Sequence, residues 1–430
     1  MVRELRAFVN QNRSLASTAY RPQQSVPLIV RLEPLTTPAA VRRFDSVLCF
    51  GDSDWWYHNR GHADMQFMRR FARRCRVLYV NSLGVRTPSV SEGRMFFRRL
   101  TRKLGSLARF CRDGGEGFEV LSPLFAPVFD GPAAVAVQAA LRWQLISVLR
   151  RLRMRRPLIW VACPTAACVL DRLPGVGVVH QLSDCYGALQ GGPAAAATQM
   201  EHRVAHRADL VVCSSEKLVE RARKLYGQGE YVDHGVDFDL FDAAARARSV
   251  PPELTAVPHP IVGFFGNIDG NTVDRALLDE VIRLRPPYRF VLVGSMTSEF
   301  EALKRLPNVV TIPRQPYHRV SQFGATFDVC IMPWLQNEWI EHCNPVKLKE
   351  YFALGKPVVS TPFPELRRTG SLCIEAVGAE AFAAAIDRAL REDNETDREK
   401  RRAWAAQNTW DAKFRQVVEL LKARGIEFDV

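Results

Sequence analysis

Several features that often reveal the class of a protein are missing from this 430-residue sequence. Its ten cysteines form no Cys-x-x-Cys pair, and several of them, such as Cys163 and Cys330, lie inside apolar runs. This pattern favours reduced, buried thiols in a cytosolic protein over a disulfide framework or a zinc site. No apolar run approaches the roughly 20 residues that span a bilayer. Residues 1–43 lack the apolar core of a signal peptide, and we expect them to form a loosely ordered extension.

What is present is an alternation of short apolar runs with helical patterns. The runs predict buried parallel strands, and the alternation predicts a doubly wound α/β fold. Residues 243–260, rich in Ala, Arg and Pro, divide the pattern in two. We therefore predict Rossmann-like domains at 44–245 and 255–400, followed by a final helix at 401–430. The predicted strands include Ser46–Phe50, Val77–Val80, Leu158–Ala162, Val176–His180, Leu210–Cys213, Ile261–Phe265, Phe290–Val293, Val309–Ile312, Val329–Met332 and Pro357–Ser360.

The segment 344–361 predicts one short helix between a loop and a buried strand. Asn344 is a favourable N-cap, Pro345 suits the first helical position, and Gly355 can end the helix in a left-handed conformation. Lys347 and Glu350 are three residues apart, so they share one face of this helix.

The chemistry of that face fits a nucleotide sugar. Lys347 lies in the first turn, where free backbone N–H groups and the helix dipole attract anions. A cation there is unfavourable for the isolated helix, but it becomes favourable when a phosphate lies in front of it. Glu350, one turn further on, can accept hydrogen bonds from a sugar diol. A diphosphate at the helix start with a ribose beside it describes a nucleoside diphosphate sugar.

The stretch Glu350–Val359, which contains Gly-Lys-Pro-Val-Val, resembles the C-terminal signature of GT-B glycosyltransferases. It is most similar to retaining family 4 (glycosyl transferases group 1). The overlapping Asn-Pro-x-Lys-Leu-x-Glu-Tyr at 344–351 resembles a bacterial subgroup of that family that builds exopolysaccharide and cell-wall glycans. The resemblance implies a GT-B fold, in which two Rossmann-like doubly wound domains face each other across a cleft and the C-terminal helix crosses back. It implies a hexosyltransferase-like enzyme that moves a sugar from a nucleoside diphosphate sugar to a hydroxyl of a growing lipid-linked glycan, with retention of configuration. It also implies that no metal or other cofactor is required.

The resemblance assigns roles to single residues. Lys347 and the backbone of residues 344–346 would contact the diphosphate, and Glu350 would bind the ribose. The usual first Glu of the family falls on His342, so His342 or the neighbouring Glu341 would face the donor sugar. The predicted catalytic residues are thus Lys347, Glu350, His342 and Glu341, and the predicted donor-binding residues are Gly266, Asn267, Arg314, Tyr317, Asn344, Pro345 and Val346.

Two further stretches support the donor assignment. Gly266 and Asn267 follow the first strand of the second domain, where glycine permits the backbone to approach a phosphate closely. The basic residues that usually follow this turn in the family are missing. Arg314 and Tyr317 match a family stretch near the nucleotide base.

The acceptor is expected at the carboxyl ends of the first-domain strands, which line the cleft. The loop after the first strand supplies Asp54, His58, Asn59, Arg60 and His62, and Asp184 follows another strand. Asp52-Ser53-Asp54 looks like a metal-binding Asp-x-Asp motif, but GT-B enzymes usually place no metal on the diphosphate. His202 and His206 are spaced for zinc, yet no third ligand is apparent nearby, so we expect a structural role for them.

The net charge of +13 is concentrated in three arginine-rich clusters. They are residues 69–76, residues 98–112 and residues 150–156, and apolar residues interleave the second. Such segments suit an anionic membrane surface, although solvated helix faces would look the same. No nucleic-acid-binding motif is recognisable, so we expect no nucleic acid partner. The expected partners are a nucleotide sugar, a glycan or polyprenyl-linked acceptor and the inner face of the plasma membrane, where a cytoplasmic protein would bind peripherally.

Two other functions fit the same sequence. One is a nucleotide-sugar epimerase of the same fold, which acts without an acceptor. The other is a non-catalytic subunit of a polysaccharide assembly complex, because the Glu expected at position 342 and the basic residues after Gly266 are missing.

Overall fold

The computed structural model describes residues 40–57, 61–84, 105, 110–129, 131–185, 194–247 and 249–429. Within these ranges, the first half of the chain contains one large sheet. Its strands are β2 (Ser46–Phe50), β3 (Arg76–Val80), β4 (Cys111–Asp113), β5 (Glu119–Leu121), β6 (Pro157–Val161), β7 (Gly177–Leu182), β8 (Leu210–Cys213) and β9 (Glu230–Tyr231). The order is β4-β5-β3-β2-β6-β7-β8-β9, and β4 runs antiparallel to β5 while the other pairs are parallel.

The second half contains a parallel sheet. Its strands are β10 (Ile261–Phe265), β11 (Arg289–Val293), β12 (Val309–Ile312), β13 (Val329–Met332), β14 (Val358–Ser360) and β15 (Cys373–Glu375). The spatial order is β12-β11-β10-β13-β14-β15. Successive strands are added on one side of β10 up to β12, and then on its other side from β13 to β15. The central strands are buried on both faces, which explains their continuous Val, Ile, Leu and Phe content. The α/β prediction is confirmed.

Helices cover both sheets. They are α1 (Ala63–Ala72), α2 (Gly131–Arg151), α3 (Ala194–Arg207), α4 (Glu216–Tyr226), α5 (Phe238–Ala247), α6 (Arg275–Leu284), α7 (Tyr317–Thr326), α8 (Glu338–His342), α9 (Val346–Ala353), α10 (Ala379–Glu392), α11 (Glu395–Gln407) and α12 (Trp410–Ala423). Helix α5 runs through the start of the segment 243–260 that the sequence suggested as a linker.

The last helix lies against the first half of the chain. The ring of Phe414 on α12 packs edge-on against Phe71 on α1, with centroids 4.9 Å apart. Beyond α12, strand β16 (Ile426–Phe428) pairs with β1 (Arg42–Phe44). Arg42 and Arg43, which the sequence placed in the loose extension, therefore belong to a strand. The remaining residues of that extension lie outside the described ranges, apart from Ala40 and Val41.

Helix α9 begins one residue later than the sequence suggested. Pro345 occupies the N-cap position, and the first helical residue is Val346. The prediction that Asn344 caps the helix is wrong, because its side-chain amide bonds to the carbonyl of Ser214 in the first half instead. The other end is as predicted: Gly355 has a φ of 73° and follows the last turn.

The close approach of α12 to the first half yields a test of the fold. A Cβ added to Gly235 would lie 2.4 Å from the backbone nitrogen of Trp410. The variant Gly235→Ala must therefore push the start of α12 away, and we expect a loss of about 1–3 kcal/mol in the free energy of unfolding. Denaturant titration measures this loss. Gly270→Ala is the control, since its Cβ would meet only the flexible end of Glu299; equal stability of both variants would contradict the packing.

Candidate active site

Glu350 and Tyr317, which the sequence assigned to one site, are in direct contact. The Tyr317 hydroxyl donates a hydrogen bond of 2.9 Å to Oε1 of Glu350, whose residue is only 6% exposed. Burial raises the pKa of Glu350 to about 7, although the Tyr317 bond and the nearby Lys347 charge act in the opposite direction. When it is ionised, this carboxyl can accept hydrogen bonds from a vicinal diol through Oε2, which does not bond to Tyr317.

Lys347 lies against the turn that follows β10. Its Nζ is 4.3 Å from the centroid of the Phe264 ring and 5.4 Å from that of Trp334. A Cβ added to Gly266 would come within 2.8 Å of the same nitrogen, and the φ of 136° at this position favours glycine. Burial lowers the pKa of Lys347 to about 8, opposed by Glu350 and Asp269. The structure thus places a partly desolvated cation at the junction of a helix start and a glycine turn, an arrangement that can bind an anion.

Asn267 and Arg314 have different surroundings. Asn267 is exposed directly after Gly266. Arg314 donates a hydrogen bond of 3.2 Å to the carbonyl of Tyr57, so it reaches the loop after β2 in the first half. It therefore connects the two halves of the chain at the edge where their strands end.

Asn344 belongs to a buried polar network between the halves. Its amide donates to the carbonyl of Ser214 at 2.8 Å, and Nζ of Lys349 donates to its Oδ1 at 2.9 Å. Pro345 beside it is buried and Val346 is partly exposed. The side chain of Asn344 is thus occupied by structural bonds, while a role of the 344–346 backbone at the diphosphate stays a prediction.

The centre of this network is Asp233, between two lysines. Nζ of Lys349, which is 2% exposed, lies 3.3 Å from Oδ2 of Asp233, and Lys413 on α12 binds Oδ1. Burial alone would raise the pKa of Asp233, but the two ammonium groups lower it. The neighbouring His234 is neutral, because burial and the Lys349 charge lower its pKa to about 3. Sequence reasoning missed this network; its signal is that Lys349 shares a face of α9 with the apolar residues Phe352 and Ala353.

In the first half, the carboxylate that accompanies Asp184 is Asp52. Burial raises the pKa of Asp184 to about 6, and the charge of Asp52 adds to the rise while His62 opposes it. Asp54 is engaged elsewhere, since its Oδ1 accepts the Trp56 amide hydrogen at 3.0 Å. Asp52 lies two residues after the end of β2, and in the sequence it was considered only as part of a metal-binding motif. His58, Asn59 and Arg60 lie outside the described residues.

His342 and Glu341 lie at the end of the short helix α8. Nδ1 of His342 is 2.8 Å from the carbonyl of Glu338, and its own carbonyl accepts a hydrogen bond of 2.7 Å from Ser215. Glu341 is exposed and lines a separate cavity of about 510 Å³ beside Lys217 and Arg367. The donor-sugar role of either residue stays a prediction.

The described residues include no cluster of three His, Cys, Asp or Glu side chains that could hold a metal ion. The rings of His202 and His206 stack with centroids 4.0 Å apart, and Nδ1 of His206 is 2.9 Å from the carbonyl of His202.

The buried network predicts a large effect of Lys349→Met. The change leaves Oδ2 of Asp233 and Oδ1 of Asn344 without their cation, so we expect a loss of about 3 kcal/mol in the free energy of unfolding. The loss should shrink on acidification through the lowered pKa of Asp233, because protonation of that carboxylate removes the pair in the wild type as well. Chemical denaturation across pH measures both. The control is Lys217→Met, which removes an exposed pair with Glu220 and should cost at most about 1 kcal/mol; equal losses would rule out the proposed importance of the network.

Known proteins resemble both the sequence and the fold. Residues 259–392 match the sequence model of the family described as Glycosyl transferases group 1. A protein named as a teichuronic acid biosynthesis glycosyltransferase, TuaH of Bacillus subtilis (strain 168), is 32% identical over 235 residues. That match covers 51% of this chain and 58% of TuaH, so it spans little more than half the length of either protein.

Solved structures match nearly the whole chain. HepE of Anabaena in complex with UDP and glucose has a TM-score of 0.60 at 14% identity, covering 89% of this chain and 100% of HepE. Sucrose-phosphate synthase from Thermosynechococcus elongatus has a TM-score of 0.66 at 16% identity, covering 89% of this chain and 99% of the synthase. The chain thus has the GT-B fold, and its residues 259–392 match the sequence model of the glycosyl transferases group 1.

Proposed function

We propose that this protein is a glycosyltransferase that moves a sugar from a nucleoside diphosphate sugar to a hydroxyl of a growing lipid-linked glycan, with retention of configuration. The observation that carries the proposal is the geometry of one face of α9, where Lys347 meets the Gly266 turn and Glu350 meets Tyr317. A cation for the diphosphate and a carboxylate for the ribose are thus one helical turn apart.

The similar proteins support the choice of substrates. A HepE structure contains UDP-glucose, which makes a UDP-sugar the first donor to test. TuaH is named for the biosynthesis of teichuronic acid, which supports a polysaccharide product.

In the proposed mechanism the protein positions the donor and stabilises charge. As the bond to the sugar breaks, negative charge develops on the leaving diphosphate, and the Lys347 ammonium and the α9 N–H groups stabilise it. The leaving diphosphate itself takes the proton of the acceptor hydroxyl in a retaining reaction. Asp184 and Asp52, at the carboxyl ends of β7 and β2, would orient that hydroxyl.

One binding and activity assay tests the proposal. Thermal shift is measured with UDP-, GDP-, ADP- and dTDP-sugars, since a ligand at 100 times its Kd stabilises by about 2.7 kcal/mol. The stabilising sugar is then incubated with and without a bacterial lipid extract. We expect nucleotide release and a glycosylated lipid. Interconversion of the sugar without acceptor would identify an epimerase, and no shift with any nucleotide sugar would favour a non-catalytic subunit.

Lys347→Met should lower kcat more than it raises the KM of the donor. The reason is that the ammonium acts mainly on charge that develops during bond breaking. Steady-state kinetics with the identified donor measure both parameters. Lys304→Met, an exposed lysine of the same half, is the control and should leave both unchanged. A normal kcat with a raised KM would show that Lys347 contributes only to binding the donor in the ground state.

Donor affinity should pass through a maximum between pH 7 and pH 8. Below the Glu350 pKa of about 7 the carboxyl is protonated and loses acceptor capacity for the ribose, so affinity falls on acidification. Above the Lys347 pKa of about 8 the ammonium is lost and affinity falls again. Isothermal titration with UDP-glucose from pH 5.5 to 9.5 measures the profile.

Two variants separate the limbs of this profile. Glu350→Gln should flatten the acidic limb and keep the basic one, and Lys347→Met should do the reverse. A profile that neither variant changes would show that other groups titrate.

A further inference from the structure

The longest helix of the described residues, α2, has two apolar faces. One face carries Leu141, Leu145 and Val148, which are buried in the core of the first half. The opposite face carries Val135 and Trp143, which are 65% and 72% exposed. By length and composition α2 could even span a bilayer, which the search for long apolar runs in the sequence did not reveal. Its buried face packs in the core, so what remains available is the exposed face.

The exposed residues follow the helical repeat. Positions 132, 135, 139, 143, 146 and 150 are spaced by three or four residues and therefore lie along one side of α2. No charged residue occurs between Gly131 and Leu141, whereas Arg142, Arg150 and Arg151 occur in the second half of the helix. The side thus changes from apolar to cationic along its length.

A groove lined with arginine adjoins the cationic end. A cavity of about 960 Å³ is bordered by Arg142, Arg150, Arg153, Arg155 and Arg172, with Asp171 as its one acid. Asp171 also lies within 4.0 Å of Arg203 and Arg207, so its charge is already shared. Ile146, Leu149 and Leu173 form an apolar wall, and Trp143 lines a smaller cavity that shares Arg142 and Arg150.

These arginines differ from those of the first basic cluster. Arg69 pairs with Glu116, and Arg70 and Arg73 share Asp411, so three of the five arginines of the first cluster have a carboxylate partner. Most of the second cluster lies outside the described residues. Arg150, Arg153 and Arg155, in contrast, have no carboxylate partner within 4.0 Å in the part of the chain that the structure describes.

We propose that the exposed side of α2 and its arginine groove bind the surface of an anionic phospholipid bilayer. Arginine pairs with phosphate through two parallel hydrogen bonds, so the groove would take lipid phosphates. Tryptophan and small apolar residues on the same side enter the region between headgroups and acyl chains. The arginines and the apolar side chains occur on one surface. This combination fits a bilayer better than a partner that is purely apolar or purely charged.

The placement also orients the cleft. Helix α2 leads into the start of β6, so its arginine end lies at the amino edge of the sheet and its apolar end at the carboxyl edge. The carboxyl edge carries Asp184 and Asp52 of the proposed acceptor site. Docking along α2 would therefore hold the acceptor side of the cleft near the bilayer, where a lipid-linked glycan emerges. This last step rests on the proposed function, whereas the bilayer contact does not.

Vesicle sedimentation tests the contact. The full chain is mixed with vesicles of phosphatidylcholine alone or with about a third phosphatidylglycerol. The wild type should prefer the anionic vesicles. The triple variant Arg150→Gln, Arg153→Gln, Arg155→Gln should bind them about a hundredfold more weakly, because each arginine near the surface contributes about fivefold. The matched control, Arg275→Gln with Arg305→Gln and Arg388→Gln, changes three exposed arginines of the second half and should bind like the wild type.

Tryptophan fluorescence tests the apolar side separately. Lipids brominated near the headgroup should quench part of the wild-type emission, and Trp143→Phe should lose that quenched part. Val377→Ser, which removes a 73% exposed apolar side chain elsewhere, should retain it.

Three results with vesicles would overturn the proposal. They are no preference for anionic vesicles, wild-type binding by the triple variant, or displacement from vesicles by inorganic phosphate at constant ionic strength, which would indicate a site for free phosphate. Donor binding to wild type and variants, measured without vesicles, shows whether the proposed function fails independently. Sedimentation velocity without lipid tests whether the exposed side of α2 binds a second copy of the chain instead. A dimer that Trp143→Ser dissociates would show this and would also overturn the proposal.

Discussion

The arrangement of the two halves depends on one buried carboxylate, Asp233. It lies two residues after the end of β9 in the first half, and it binds Lys349 of α9 and Lys413 of α12. Burying three charges is unfavourable unless they are paired in good geometry, so only a narrow set of relative positions of the halves satisfies this group. Asn344 and Glu365 extend the network, since the Asn344 amide lies 3.3 Å from Oε2 of Glu365 and Oε1 of Glu365 accepts the Glu216 amide hydrogen at 2.6 Å.

The same constraint positions the proposed donor site. Lys349 lies on α9 between Lys347 and Glu350, so fixing Lys349 fixes the rotation of the helix that carries both. With that rotation set, Lys347 meets Gly266 and Glu350 meets Tyr317. Their pKa values are displaced in opposite directions for the same reason, which is that burial disfavours the charged form of each group. Burial thus moves both pKa values towards neutral pH.

Local patterns in the sequence predicted what local physics determines. The strands were visible because buried parallel strands are continuously apolar, and the end of α9 was visible because Gly355 supports a left-handed conformation. The contact of Glu350 with Tyr317 agrees with the grouping that the family resemblance suggested. These features depend on residues close in sequence or on motifs with a known geometry.

The errors concern contacts between distant residues. Asn344 looks like an N-cap, but its side-chain amide donates a hydrogen bond to the carbonyl of Ser214, 130 residues earlier. The arginines at 69–76 look like a row of unpaired cations, but Arg69 pairs with Glu116, and Arg70 and Arg73 share Asp411. The sequence did not predict that one apolar side of α2 is exposed, because apolar residues in a helix are indistinguishable from core residues until their burial is known. In each case the deciding partner comes from another element of the fold.

The central claim is that a nucleoside diphosphate lies at the start of α9, and a crystal structure with bound UDP tests it most directly. The account predicts oxygens of the diphosphate within hydrogen-bonding distance, about 3 Å, of Nζ of Lys347 and of the first N–H groups of α9. It also predicts that the ribose hydroxyls contact Glu350. A nucleotide bound elsewhere, or one whose diphosphate points away from Lys347, would contradict it.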